Sequence, residues 1–274
     1  MANSVWRLAL LPKRIFGNTG IEISTLGLGT VKLGRNRGVK YPQSYTIPDD
    51  RDAANLIAQA SALGINLIDT APSYGNSEER LGKLLKGLRN QWIICSKVGE
   101  EFQDGVSQFN FSPEYTRISV ERSLKRLNTD IIDIVLVHSD GDDENIINNH
   151  GTLETLAQLK TEGKIQAFGM SCKTIEGGLL AAKKSDGVMV AWNLEYNDEL
   201  PVIDYCAAHN KGLLIKKALA SGHAVKSMAE DSVREGFQMI FEHPGVSSII
   251  VGTINPSHLS DNAAKAKELS ARKL

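Results

Sequence analysis

Hydrophobic residues in this chain fall into short branched runs separated by amphipathic stretches, recurring about every 30 residues, the spacing of strand–helix units in a parallel sheet. The runs 65–69, 92–97, 131–137, 165–170, 188–192, 212–215 and 246–251 read as buried strands, and Leu26-Gly-Leu-Gly-Thr30 as one whose end meets another segment or a ligand. Between them lie helical patterns. One spans Asp49 to Ala62, with Ala54, Ile57, Ala58 and Leu63 as its apolar stripe, and another opens at Ser77, a hydroxyl cap followed by Glu78 and Glu79. A third starts at Ser112-Pro113 and is lined by Ile118, Leu124 and Leu127, and a fourth runs from Thr152 to Glu162 and ends at Gly163. Residues 201–209, 224–242 (stopped by Pro244) and 256–270 complete the alternation. Ahead of it, Arg14 to Ser24 carries two apolar arms about a Gly-Asn-Thr-Gly turn, a hairpin signal, and Lys32 to Pro48 is a polar loop without periodicity.

Alternating strands and helices require parallel strands with crossover helices. Roughly eight units fill the chain with no linker or break in composition, which predicts an α/β fold: a (β/α)8 TIM barrel with an N-terminal β-hairpin, as a single domain over residues 1–274.

Composition narrows the function. With 31 Lys+Arg against 32 Asp+Glu, the net charge of −1 gives no electrostatic case for nucleic acid or an acidic membrane as partner. No apolar run has the roughly 20 residues of a membrane span. Cys95, Cys172 and Cys206 are scattered without a metal-ligand spacing and read as reduced thiols of a cytoplasmic protein. The acidic stretch Asp140 to Glu144 reads as solvated surface, lacking the glycine and terminal glutamate of a calcium loop.

The C-terminal ends of barrel strands share one face, where barrel enzymes keep their chemistry. Asp69, Lys97 and His138 each sit at such an end, and Tyr74 lies on a tight loop between Pro72 and Gly75. A single Lys or His at a strand end is ordinarily a solvated loop residue, whereas four polar groups converging from successive units point to a site.

Asp69-Thr-Ala-Pro-Ser-Tyr74, Cys95-Ser-Lys97-Val-Gly, Asp130 to His138, Gly163-Lys-Ile-Gln-Ala-Phe-Gly-Met-Ser171 and the hairpin with Leu26-Gly-Leu-Gly-Thr together resemble the aldo-keto reductase superfamily. The likeness runs in order from about Arg14 to Asn262, with a weaker leaning toward aldose-dehydrogenase-like branches. It implies a tetrad of Asp69, Tyr74, Lys97 and His138. Tyr74 would deliver the proton, Lys97 would lower the phenol's pKa, Asp69 would hold Lys97, and His138 would donate a hydrogen bond to the carbonyl. The hydride must come from a nicotinamide cofactor.

For that cofactor the resemblance implies Gly29 and Thr30 at the first strand end, Ser171 and Cys172 (where asparagine is usual), and Asn193 in place of a glutamine. Lys216 stands where a tyrosine often stacks on the nicotinamide, with Trp192 as a substitute, and Leu219, Ser221 and Gly222 match the pyrophosphate loop. Gly252, Thr253 and Asn262 match the adenosine end, where the amides after Gly252 can cradle an anion. Ile254 occupies the common place of a base that neutralises a 2′-phosphate, leaving His258 as the nearby candidate, so NADP is implied with NAD open.

The substrate class so implied is a small carbonyl compound or sugar, bounded by irregular loops at 32–48, 100–111 and 140–151. The chain stops soon after its last helix, which the resemblance reads as an open pocket for larger or polar substrates. Two other readings share the fold: an aldolase forming a Schiff base on Lys97, and a non-catalytic cofactor-binding regulatory subunit.

Overall fold

The computed structural model describes residues 10–39, 41–220 and 231–271. Strands β1 (Lys13–Ile15) and β2 (Glu22–Ser24) form the expected antiparallel hairpin. The chain continues through β3 (Leu26–Gly29), α1 (Val31–Gly34), α2 (Asp50–Ala62), β4 (Leu67–Asp69), α3 (Ser77–Leu84) and β5 (Ile93–Val98). A second hairpin, β6 (Glu100–Gln103) and β7 (Val106–Phe109), precedes α4 (Pro113–Leu127), β8 (Ile132–His138), α5 (Asp143–Asn149), α6 (Thr152–Thr161) and β9 (Ile165–Ser171). Then come α7 (Ile175–Lys184), β10 (Gly187–Ala191), α8 (Leu200–Ala208), β11 (Gly212–Lys216), α9 (Ser232–Glu242), β12 (Ser248–Val251) and α10 (Pro256–Ser270). The expected start of α9 near Ala224 lies outside the described residues.

Eight parallel strands close in the order β3-β4-β5-β8-β9-β10-β11-β12, the (β/α)8 barrel that the alternation predicts. Both faces of these strands are buried, one against helices and one against the interior, so their sequences are nearly continuous apolar runs. The interior is filled by Leu67, Cys95, Ile134, Leu136, Ala167, Met189 and Leu214. Phe16, Ile21 and Ile23 of the first hairpin belong to the same cluster and close the barrel at the strands' N-terminal ends. A Cβ at Gly187 or Gly212, the first residues of β10 and β11, would lie within 2.6 Å of the Phe16 ring, so these glycines make room for the plug.

Local expectations needed correction. The face that α2 buries is Ala53, Leu56, Ile57 and Ala60, while Ala54 and Ala58 are exposed, because the three- and four-residue spacing that puts Leu56 and Ile57 on one side brings Ala53 and Ala60 with them. In α4 the barrel side carries Thr116, Ser119, Val120, Ser123 and Leu127, and Ile118 is exposed. Two segments expected as irregular loops are structured. Asp104 and Gly105, with φ of 52° and 87°, form the two-residue turn that folds 100–109 into the β6–β7 hairpin. Within 140–151, α5 forms, and Asp143 is buried instead of solvated: its carboxylate accepts hydrogen bonds from the Lys173 and Thr174 amides and the Thr174 hydroxyl.

Candidate active site

The interior pattern sets the site. Side chains alternate along a strand, so the inward residues Leu67, Cys95, Leu136 and Leu214 are followed two positions later by Asp69, Lys97, His138 and Lys216. Ser171 ends β9 in the same inward phase as Ala167. Apolar filling thus gives way to a polar layer at the C-terminal mouth of the barrel. All five line one cavity of about 1130 Å³ that Tyr74 also faces.

Lys97 is the buried centre of this layer. Its ammonium donates to Asp69 Oδ1 at 2.5 Å and to the Thr70 carbonyl at 2.8 Å, with the two charged side chains 1% and 5% exposed. Burial works against the ammonium, but Asp69, Tyr74 and Cys95 together hold its pKa above the ordinary lysine value. Lys97 Nζ lies 5.0 Å from the centre of the Tyr74 ring. Burial pushes the Tyr74 phenol up to about 12, with Lys97 pulling down and Asp69 and Glu100 pushing up. The expected lowering by Lys97 is therefore present but outweighed, and the phenol keeps its proton.

The loop that presents Tyr74 is fixed by close backbone approach. A Cβ on Gly34 would lie 2.3 Å from the Tyr74 carbonyl oxygen, and a Cβ on Gly75, at φ 63°, would lie 2.1 Å from the Gly34 carbonyl oxygen. Ser77 is not the cap of α3: Asn76 holds that position, and the Ser77 hydroxyl donates to Thr30 Oγ1 and bonds the Thr70 hydroxyl. Thr30 in turn donates to the Asp69 carbonyl and so braces β4.

His138 is held by a carboxylate through one ring nitrogen. Its Nδ1 is 2.6 Å from Glu100 Oε2, and the Ser73 hydroxyl is 3.4 Å away. Burial lowers the imidazole pKa, against the raising influence of Glu100. Burial raises the Glu100 carboxyl, but hydrogen bonds from His138, Ser107 and Ser73 and the imidazole charge bring it down to about 2. Sequence reasoning missed Glu100. The signal was Asp104-Gly105, which announces a hairpin whose first residue is set three positions beyond Lys97.

The remaining wall bears on a dinucleotide. Gly29, Cys172, Asn193, Leu219, Gly252, Thr253, His258 and Asn262 all line the cavity, whereas Ser221 and Gly222 lie outside the described residues. Lys216 Nζ donates to Ser171 Oγ at 2.9 Å and to the Cys172 carbonyl at 2.7 Å. Burial brings the Lys216 ammonium down to about 8, despite the neighbouring Glu199 carboxylate. Both ends of the Asn193 amide are engaged locally, by the Lys217 carbonyl and the Glu195 amide. Trp192 is buried and packs edge-on against His243, as a core residue does. At the far end, Asn255 Oδ1 already accepts from the Ser257 and His258 amides, which removes two donors of the expected anion cradle. Tyr41 reaches over Gly252, where a Cβ would lie 3.0 Å from its hydroxyl.

The residues present fit a nicotinamide dinucleotide. Hydroxyl and ammonium donors stand beside the tetrad, a glycine permits close approach at the distal end, and the cavity exceeds the ~300–1,000 Å³ of ordinary small-molecule pockets. Among the described residues no group of three or more His, Cys, Asp or Glu could hold a metal ion, and no helix is long and apolar enough to cross a membrane.

Comparison with known proteins agrees with this architecture. A model of the aldo/keto reductase family matches residues 25–239. The chain is 29% identical to L-galactose dehydrogenase of Arabidopsis thaliana, covering 94% of this chain and 89% of that one. It is 37% identical to the NADH-specific methylglyoxal reductase of Escherichia coli over 56% of this chain and 49% of that protein. A solved structure from Pseudomonas aeruginosa, described as an aldo-keto reductase, superposes with a TM-score of 0.86 at 56% identity, covering 94% of both chains. On these matches, with the barrel and its polar mouth, the chain belongs to the aldo/keto reductase family of NAD(P)H-dependent oxidoreductases.

Proposed function

We propose that this protein interconverts carbonyls (aldehydes, ketones or sugars) and alcohols, with Tyr74 as the group that exchanges the proton. The observation that carries the reading is the convergence of Asp69, Tyr74, Lys97 and His138 on one cavity from β4, β5, β8 and the loop after β4. Bound nicotinamide supplies the hydride. The chain's own part is to hold a protonated phenol against the substrate oxygen, because burial keeps Tyr74 in its acid form. As negative charge develops on that oxygen, the proton moves from Tyr74 and the Lys97 ammonium faces the nascent phenolate. Asp69 keeps Lys97 charged, which supports this reading over a Schiff-base aldolase, since that chemistry requires a neutral amine.

Ser171, Lys216 and Leu219 would hold the nicotinamide half, and Gly252, Thr253, His258 and Asn262 the adenosine half. NADP is the cofactor that the family resemblance implies. The distal wall includes Asp261, but both of its carboxylate oxygens accept from Lys265 Nζ at 2.6 Å, so this end does not by itself favour a ribose 2′-hydroxyl over a 2′-phosphate, and NAD is the alternative to NADP. Fluorescence titration with NADH and NADPH tests the choice. For the reaction, Tyr74→Phe is expected to lower kcat/KM by about 10²–10⁴ while cofactor titration stays as in the wild type. Near-normal turnover in that variant would remove Tyr74 from the chemistry.

A further inference from the structure

Two of the cavity's lysines come from barrel strands, Lys97 of β5 and Lys216 of β11, and their partners differ in kind. Lys97 is locked to the Asp69 carboxylate at 2.5 Å. Lys216 donates instead to neutral oxygens, the Ser171 hydroxyl at 2.9 Å and the Cys172 carbonyl at 2.7 Å. Glu199 acts on it only at longer range, without a hydrogen bond. Two acceptors leave one of the three ammonium positions unused on the cavity side. The residue beside Lys216 in the sheet is Ala191 of β10, whose methyl group leaves room around Nζ.

A partly buried amine without an ion pair, open to a cavity, is placed to act as a nucleophile. Burial supports this, since an ammonium brought down to about 8 gives up its proton readily near neutrality. The nitrogen lone pair adds to an aldehyde carbon and a C–N bond forms. The carbonyl oxygen then leaves as water with the two amine protons, giving an imine, and water reverses the step with no oxidant or reductant. The other lysines of the wall are placed differently. Lys97 would have to leave Asp69 uncompensated, and Lys32 is a cation held 4.1 and 5.1 Å from the centres of the Tyr41 and Tyr45 rings. Lys173 and Lys217 are exposed to water.

We propose that Lys216 is a covalent capture site for aldehydes: when the cofactor half of the cavity is empty, an aldehyde forms a reversible imine on Nζ and blocks the nicotinamide from binding. The blocking rests on the reading above in which Lys216 holds the nicotinamide half, whereas the capture does not. Bound cofactor thereby becomes the condition for productive entry of an aldehyde. Protein short of cofactor is held inactive by excess aldehyde until hydrolysis frees the amine.

The test exposes the whole protein, free of cofactor, briefly to propionaldehyde at about pH 8 with cyanoborohydride, whose hydride turns an imine into a stable secondary amine. Peptide mass spectrometry then locates the modified lysine. Lys216 should be labelled at least about tenfold faster than Lys32, Lys173 or Lys217. Saturating NADH or NADPH should slow that labelling at least about tenfold, by occupying the site. Lys216→Arg, which keeps the charge without the reactive amine, should lose the rapid label, and the wild-type map decides alone should that variant not fold. Equal labelling of these lysines, or a first label on Lys97, overturns the capture. A rate at Lys216 that neither cofactor changes overturns the blocking. Labelling needs no turnover, so its failure leaves the carbonyl–alcohol reading standing, and near-normal turnover in Tyr74→Phe counts against that reading alone.

Discussion

Replacing Lys97 by methionine tests whether the centre of the site is a charge pair held in a dry interior. Lys97 Nζ and Asp69 Oδ1 are 2.5 Å apart, with side chains 1% and 5% exposed. At that separation the attraction is about 7 kcal/mol for an effective dielectric near 20, most of it offset by the cost of removing both charges from water. Removing one partner leaves that cost standing. Lys97→Met therefore strands the Asp69 carboxylate and is expected to destabilise the protein by ~3–5 kcal/mol. At about 2 °C per kcal/mol for a chain of this length, the midpoint should fall by roughly 6–10 °C in differential scanning calorimetry. Methionine matches the volume of the lysine stem, so little of the loss would come from a cavity. The double variant Lys97→Met with Asp69→Asn removes both charges and should recover at least ~2 kcal/mol of the sum of the single losses. Additive single and double variants, within about 0.5 kcal/mol, would show that the pair is solvated and that its electrostatic role has been misjudged.

Acid stability reports on Glu100. Its folded carboxyl sits at about 2 against an ordinary 4.5, so between these values the unfolded chain binds the extra proton and stability falls as pH falls. In Glu100→Gln the unfolding free energy, followed by denaturant titration from pH 5 to 2, should show a shallower decline than the wild type. Lys216 works in the opposite range. With a folded value of about 8 against 10.5, the unfolded state binds more protons between them and wild-type stability rises with pH. The stability of Lys216→Met relative to wild type should therefore fall across pH 8 to 10.5, by at most about 3 kcal/mol. Gly34→Ala would drive a methyl into the Tyr74 carbonyl, at 2.3 Å, and the Ser77 amide, at 2.4 Å. It is expected to cut turnover at least ~100-fold by displacing Tyr74, out of proportion to its effect on cofactor affinity, as steady-state kinetics beside fluorescence titration would reveal.

The sequence by itself determined the barrel and the identity of its polar mouth. Parallel strands buried on two faces must be short apolar runs, and a residue that breaks such a run at its end, as Asp69, Lys97 and His138 do, is visible without coordinates. Glycines marked the turns for a similarly local reason, as at Gly163, whose φ of 75° follows α6. What the fold alone decided are relations between distant segments. Thr30 and Ser77 look like site or cap residues in one dimension, and only the packing of β3 against β4 and α3 makes them braces. Asp143 reads as surface until the start of α7 brings amides to it. The balance of burial against Lys97 at Tyr74 depends on how much water the closed barrel excludes, a quantity with no counterpart in spacing or composition. Most of all, Glu100 becomes a partner of His138 through a hairpin that folds back over the mouth, because tautomer and charge are fixed by neighbours in space and those neighbours are 38 residues apart in the chain.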